Sequence, residues 1–299
     1  MLLKHSIGLL ASSLQNHVKI LSQDYGPRNF QHYIALTQAA NYIHTVFHEY
    51  QFLVTVQEYQ IKDKIYSNIE AELPGANSSH PLVIVGAHYD SAGNSPGAND
   101  NASGIAVMLE IARLLAAAKP DCPVKFVAFV NEEPPFTHTK QMGSYYYAKH
   151  LRSLDFQVKA MLSLETIGCY TEKRGEYGPP VLKYLLPYRQ NFLAFIGNRN
   201  SKDLVKNASD YFKSICSIPI KTLSAWGFLP GIKSSDQESF WKQGYQGIMV
   251  TDTAWARDWQ AYHTQNDTYD RINYDKLTEA TIGLAKTIFS LSQDCNDKT

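Results

Sequence analysis

Four nearly continuous apolar runs constrain this chain most: "PLVIVGAHYD" (81–90), "VKFVAFVNEE" (124–133), "KAMLSLETIG" (159–168) and "GIMVTDT" (247–253). A strand solvated on one face alternates apolar with polar residues, whereas a run apolar at successive positions suits a strand covered on both faces. Segments with helical periodicity lie between or beside them, "NASGIAVMLEIARLLAAA" (101–118), "GSYYYAKHLR" (143–152) and the closing "YDKLTEATIGLAKTIFSLSQ" (274–293). Buried strands alternating with helices predict an α/β sandwich built on a largely parallel sheet. Two β-like runs, 52–60 and 64–73, precede the first buried strand, and helical patterns in 14–23 and 36–50 open the chain.

The strand ends carry the functional signal. They present His88 and Asp90, then Glu132 and Glu133, then Glu165, then Asp252. Ligand sites of such sheets collect at the carboxyl ends of the strands, and His with carboxylate is a donor set for zinc and similar divalent metals. Adjacent glutamates alone would read as a solvated loop start. Four strands ending in ligand chemistry make that reading poor. His88 and Asp90, two apart on an extended segment, point the same way. A carboxylate so placed accepts the second N–H of a ligating His, so His88 reads as ligand and Asp90 as its orienting partner. A hydrogen-bonded strand-end pair is the plainer alternative. Asp100 stands in the small-residue loop "GANDNASG" before a helix, as a cap or as a residue brought close to an ion.

The remaining composition sets outer bounds. The 299 residues hold 28 basic and 28 acidic side chains, and 44% are hydrophobic. This suits a globular chain and shows no field for a nucleic acid or an anionic membrane. No apolar run approaches the roughly 20 residues of a membrane-spanning helix. With no repeat or linker, 1–299 reads as one domain with residues 1–50 as a helical lead-in, and as a monomer, a small oligomer remaining open. "MLLKHSIGLLASSL" is too interrupted for a signal peptide, which leaves cytoplasmic and exported locations both open. Cys122, Cys169, Cys216 and Cys295 form no C-x-x-C pair and read as separate buried thiols, with room for one or two disulfides.

Six motifs, "GAHYDS", "GANDNASG", "NEEPP", "LSLETIG", "SSDQESF" and "YHTQNDT", occur in this order between Val83 and Thr268. In order and spacing the chain resembles the zinc exopeptidases of the bacterial leucyl aminopeptidase and glutamate carboxypeptidase family. "YGPRNF" (25–30) is also similar to a lead-in of many members. The resemblance implies a three-layer α/β/α sandwich around a mixed, mostly parallel sheet, with two zinc ions at its edge and a peptide as substrate. It implies His88 and Glu165 as ligands of one zinc, Glu133 and His263 of the other, and Asp100 as the bridge. Asp90 then orients His88, Glu132 is the general base, and the Asp100–Asn101 peptide is cis. Tyr262 becomes a candidate donor to the tetrahedral oxyanion, with packing beside the site as the alternative. Trp255, Trp259 and Tyr262, with Trp226 and Phe228, could line a hydrophobic pocket for the first side chain or belong to the core.

Two departures stand out. Glu165 occupies a position where many members have Asp, and Gln237 one where many have His. His138 matches no ligand and reads as a loop residue. Glutaminyl cyclases share the fold but use one zinc and lack the full "GANDNASG" form. Receptor relatives lose ligands or the base. An aminopeptidase with two zinc ions is therefore the expectation, with the cyclase and a silent binding domain as rivals.

Overall fold

The computed structural model describes residues 2–174, 189–226, 231–293 and 295. In chain order the elements are α1 (Leu2–Lys19), α2 (Tyr33–Glu49), β1 (Leu53–Ile61), β2 (Lys64–Leu73), β3 (Leu82–His88), α3 (Ser103–Leu115), β4 (Val124–Phe129), α4 (Gly143–Ser153) and β5 (Val158–Glu165). There follow β6 (Thr171–Arg174), β7 (Arg189–Gln190), β8 (Leu193–Asn198), α5 (Lys202–Ile215), β9 (Ile220–Ala225), α6 (Gln237–Lys242), β10 (Ile248–Thr251) and α7 (Tyr274–Leu291). The eight-stranded sheet has the order β1-β2-β4-β3-β5-β10-β8-β9, while β6 and β7 pair separately.

Strands β4, β3, β5 and β10 run parallel at its centre, and β2 and β8 pair antiparallel to that block on either side. The sheet is thus mixed with a parallel middle. All four expected apolar runs fall in that middle and end on one edge.

Alternation within each strand separates two apolar layers. Val83, Val85 and Ala87 of β3, Phe126 and Ala128 of β4, and Leu162 and Leu164 of β5 join the large core under α1, α3, α5 and α7. Leu82, Ile84, Val127, Phe129 and Met161 face the smaller core of Tyr147, Leu151 and Phe240 from α4 and α6. Burying one such side chain contributes roughly 1.5–3 kcal/mol, and the buried residues are numerous enough to hold a cluster of carboxylates at the strand ends.

The segment between Tyr170 and Gly247, to which the sequence pattern assigns no strand, supplies β8, α5 and β9. Among the described residues no helix is long and apolar enough to cross a membrane. Cys122 and Cys295 are disulfide-bonded, with Cα atoms 5.6 Å apart, so one of the disulfides the sequence left room for is present and these two are not separate thiols. Cys169 and Cys216 are free.

Candidate metal centre and active site

Each strand of the parallel block delivers its polar residue to the same edge. His88 is the last residue of β3 and Glu165 the last of β5, while Glu132 and Glu133 follow β4 by three and four residues. Asn131, with φ 59°, breaks the extended run just before the glutamate pair. The two glutamates then face different partners. Glu132 Oε2 lies 3.9 Å from His88 Nε2, and Glu133 Oε1 lies 3.3 Å from His263 Nε2. Their adjacency in sequence serves two separate positions in space.

His88 Nε2 stands 3.3 Å from Asp100 Oδ1 and 3.2 Å from Glu165 Oε2, and His263 Nε2 stands 3.0 Å from Asp100 Oδ2. The donors form two triads, His88–Asp100–Glu165 and Asp100–Glu133–His263, joined through Asp100, and His88, Glu132 and Glu133 form a third, overlapping group. His88 Nε2, Asp100 Oδ2 and Glu133 Oε1 are buried and make no hydrogen bond within the described residues. The close N···O approaches therefore gather the donor atoms around common points without hydrogen-bond geometry at these three atoms. Two ligand atoms about 2.1 Å from a tetrahedral ion lie about 3.4 Å apart, given ordinary Zn–N and Zn–O lengths. The observed 3.0–3.3 Å spacings fit that requirement. The donors thus suit zinc in chemistry and spacing, and three of their atoms have no competing partner, while Glu165 Oε2 also accepts from Ser235 Oγ at 2.8 Å.

Proton affinities tell the same story. Burial, then Asp100, pushes the Glu133 carboxyl up to about 7. Burial also raises Glu132, reinforced by Glu133, Glu165 and Asp236 against the opposing charge of His88. For His263, burial would lower the pKa, but Asp100 and Glu133 outweigh it and push the ring up to about 10. Asp100 is held low by both histidines in spite of its burial. A site this acidic takes up positive charge from protons or from a cation.

Supporting contacts fix the donors. Asp90 accepts the backbone N–H of Glu132 at 3.2 Å and of Glu133 at 3.0 Å, and its Oδ1 lies 3.4 Å from His88 Nδ1. One carboxylate thereby ties β3 to the loop after β4. The Asp100–Asn101 peptide is cis, in agreement with the family pattern. Asn101 donates to the Leu164 carbonyl and accepts from the backbone N–H of Gly104 and Thr166. A side chain on Gly104 would collide with Asn101 and the Leu164 carbonyl, so α3 starts closely against β5 only with glycine there. Asp252 is no ligand. It accepts from Asn99 Nδ2 and from the N–H groups of Cys169 and Ala254, bracing the loops around the site.

Two supporting residues escaped the sequence reading. Asp267 accepts the N–H of Asn99 at 2.8 Å and of Asp100 at 3.0 Å. Its signal was its place in the "YHTQNDT" motif, four residues after His263. Arg28 of "YGPRNF" is fully buried and donates to the carbonyls of Leu21, Tyr89, Pro96 and Gly97. It clamps the loop between His88 and Asp100. Gly97, with φ 63°, leaves room for that guanidinium.

The ring of Tyr262 stacks on His263 with centroids 3.8 Å apart. Burial beside Asp100 and Glu133 raises its pKa, so the phenol remains a proton donor. The expected aromatic pocket needs correction. Trp226 is 53% exposed, stacks under Arg199, and sits at the end of the β8–β9 pair remote from the donors. Trp255 is exposed, while Trp259, with Tyr170, lines a cavity near the site and Tyr262 lines the narrow cleft at Asp100. Phe228 lies outside the described residues. His138 has an exposed ring bonded to Glu238, and Gln237 donates to the Ile232 carbonyl.

A His-carboxylate cluster on the carboxyl edge of an α/β/α sheet, with a further glutamate beside it, has the donor chemistry of a metal-dependent enzyme. The model of "Peptidase family M28" matches residues 68–288, and the chain belongs to that family. It is 37% identical to YfbL, an uncharacterized protein of Escherichia coli (strain K12), over 93% of this chain and 87% of that one. It is 41% identical to aminopeptidase YwaD of Bacillus subtilis (strain 168), over 33% of this chain and 21% of that protein. The structure of the zinc aminopeptidase BSAP from Bacillus subtilis superposes with TM-score 0.77 at 18% identity, covering 96% of each chain. The glutaminyl cyclase of Tannerella forsythia gives 0.68 at 19% identity, covering 96% of this chain and 99% of that one. At such identities, both superpositions speak for the fold.

Proposed function

We propose that the protein is a zinc-dependent aminopeptidase whose five donors, His88, Asp100, Glu133, Glu165 and His263, hold two zinc ions that share Asp100. The observation that carries this reading is the pair of donor triads joined through Asp100, with three of their buried atoms lacking any other partner. A cyclase-like site with one zinc needs only one triad.

Bound zinc would polarise the scissile carbonyl and acidify a water molecule. Glu132, buried beside His88 and raised in pKa, takes the proton from the attacking water and returns it to the leaving amine. Asp90 holds the backbone of Glu132 and Glu133 together and so sets the base relative to the donor. Tyr262 stands ready to donate to the oxyanion formed beside His263. Action at the amino end of a peptide is supported by the aminopeptidases among the relatives.

The test is zinc content together with turnover of free-amine, amine-blocked and N-terminal glutamine substrates, in the wild type and in Glu132→Gln. The expected results are about two zinc per chain, hydrolysis of free-amine substrates only, and turnover of the variant lower by about 10²–10⁴ with its zinc retained. One zinc with cyclisation of glutamine, or an unimpaired variant, would sink the reading.

A further inference from the structure

A cavity of about 370 Å³ lies beside the donor cluster, lined by Tyr170, Gln190, Asp258, Trp259, Gln260 and Arg271, with Cys169 and Arg257 behind them. Cys169 and Asp258 also line the narrow cleft that contains Asp100 and Tyr262, so the cavity and the site share a wall. Its size suits one side chain or a chain end. Its lining is unlike that of a pocket for leucine, since most of these residues present polar groups.

The cations set its character. Arg257 is 4% exposed, and its guanidinium donates to the carbonyls of Cys169, Gln190 and Phe192 between the rings of Phe192 and Tyr170. Among the described residues no carboxylate pairs with it directly, and its Nε has no hydrogen-bond partner. Asp252, the buried acid whose charge it offsets, is already occupied by the N–H donors of Asn99, Cys169 and Ala254. Arg271 is partly exposed and forks onto one oxygen of Asp258, at 2.6 and 3.2 Å. In the lining Arg271 is thus paired with Asp258, while the charge of Arg257 behind them is balanced by Asp252.

We propose that this cavity is a subsite for a substrate carboxylate, bound through Arg271 in exchange for Asp258. The inference rests on the peptidase reading above and deepens it. A carboxylate can arrive there from an acidic side chain on the terminal residue or from the free carboxyl end of a short peptide. Asp258 competes for the same guanidinium and moderates the site, since charge-assisted pairs with Arg are the strongest polar contacts available to it.

Both sources are separable with matched substrates. Glutamyl and glutaminyl anilides test the side chain, and Leu-Leu with Leu-Leu-amide tests the chain end. Zinc-loaded wild type, Arg271→Ala and Asp258→Asn are compared by kcat/KM, and binding of the same compounds is measured on Glu132→Gln carrying each substitution. One pair should show a preference for the carboxylate on the order of tenfold, expressed in KM and in binding. Arg271→Ala should abolish the preference and leave the neutral member of the pair within about twofold, which also reports intact folding. Asp258→Asn should widen it. Equal binding of both members of each pair, or a preference that survives Arg271→Ala, overturns the subsite. Discrimination in binding with no hydrolysis of any compound upholds the subsite and overturns the peptidase reading instead.

Discussion

Two buried acidic clusters in this molecule differ in a single respect. Glu110 of α3 is fully enclosed, yet every lone pair is used: Ser13 donates at 2.7 Å, Tyr50 at 3.0 Å, and Arg113 at 2.6 and 2.8 Å, with His17 Nε2 at 3.1 Å. Against the penalty of burial, His17, Arg113 and Ser13 bring its carboxyl down to about 2. At the sheet edge, by contrast, Glu132, Glu133 and Glu165 are all raised, and donor atoms stay unpartnered. Similar residues at similar depth thus make a lock between helices in one place and a reactive centre in the other. The distinguishing mark is whether donors inside the protein finish the job.

The largest effect should come from the unfinished cluster. Asp100→Asn removes the carboxylate shared by both triads, and zinc content measured by mass spectrometry together with kcat/KM should both fall, activity by more than about 100-fold. Thermal stability without metal should fall by less than a core substitution costs, because His88 and His263 lose the carboxylate they hold charged while Glu133 loses a repelling neighbour. Loss of metal-free stability comparable to that of a core substitution would erase the contrast.

Glu110→Ala should behave in the opposite manner. It strands Arg113 and three polar groups, and unfolding free energy from urea titration should drop by about 3–5 kcal/mol while zinc content and activity per folded molecule persist. A pH series sharpens this. Because the folded pKa of Glu110 is depressed, its contribution is fully present above its unfolded value near 4.5 and disappears as pH falls through about 2. The wild type should therefore lose its advantage over Glu110→Gln between those limits, as read from melting temperatures. A constant difference across the window would show that the carboxylate is not paired as described.

The smallest effect concerns a link belonging to neither cluster. The Cys122–Cys295 disulfide spans a sequence separation of 173, and Cys122→Ser or reduction should cost about 2–4 kcal/mol of stability without changing zinc content. A change in zinc content would connect this end of the molecule to the site unexpectedly.

How much of this was legible beforehand follows from the range of each interaction. His88, Glu132, Glu133 and Glu165 stand at or just beyond the ends of apolar strands, and the period of a strand and the direction of a parallel sheet suffice to bring them together. Asp100 and His263 needed the motif resemblance, since loops place them. The Glu110 lock joins residues 13, 17, 50, 110 and 113 from three places in the chain, and no local pattern marks it. Strand β9 was missed because it lies at the sheet edge, largely exposed, without the doubly buried run that marked the central strands, whereas β8, mostly buried inside the sheet, does carry a short apolar run in "FLAFIG" that the reading passed over. Trp226 was misread for a related reason, as an aromatic residue in sequence says nothing about which end of a strand it occupies.

Arg28 carries a practical consequence. The stretch that matches the family ends at its amino side with residue 68, yet the clamp on the loop leading to Asp100 comes from forty residues earlier. A fragment excised along the matching boundary would keep every proposed zinc donor and lose the part that holds one of them in register. Swapping this catalytic core between relatives, or trimming it for expression, has to carry the stretch around Arg28 as cargo, because the smallest recognisable unit is smaller than the smallest working one.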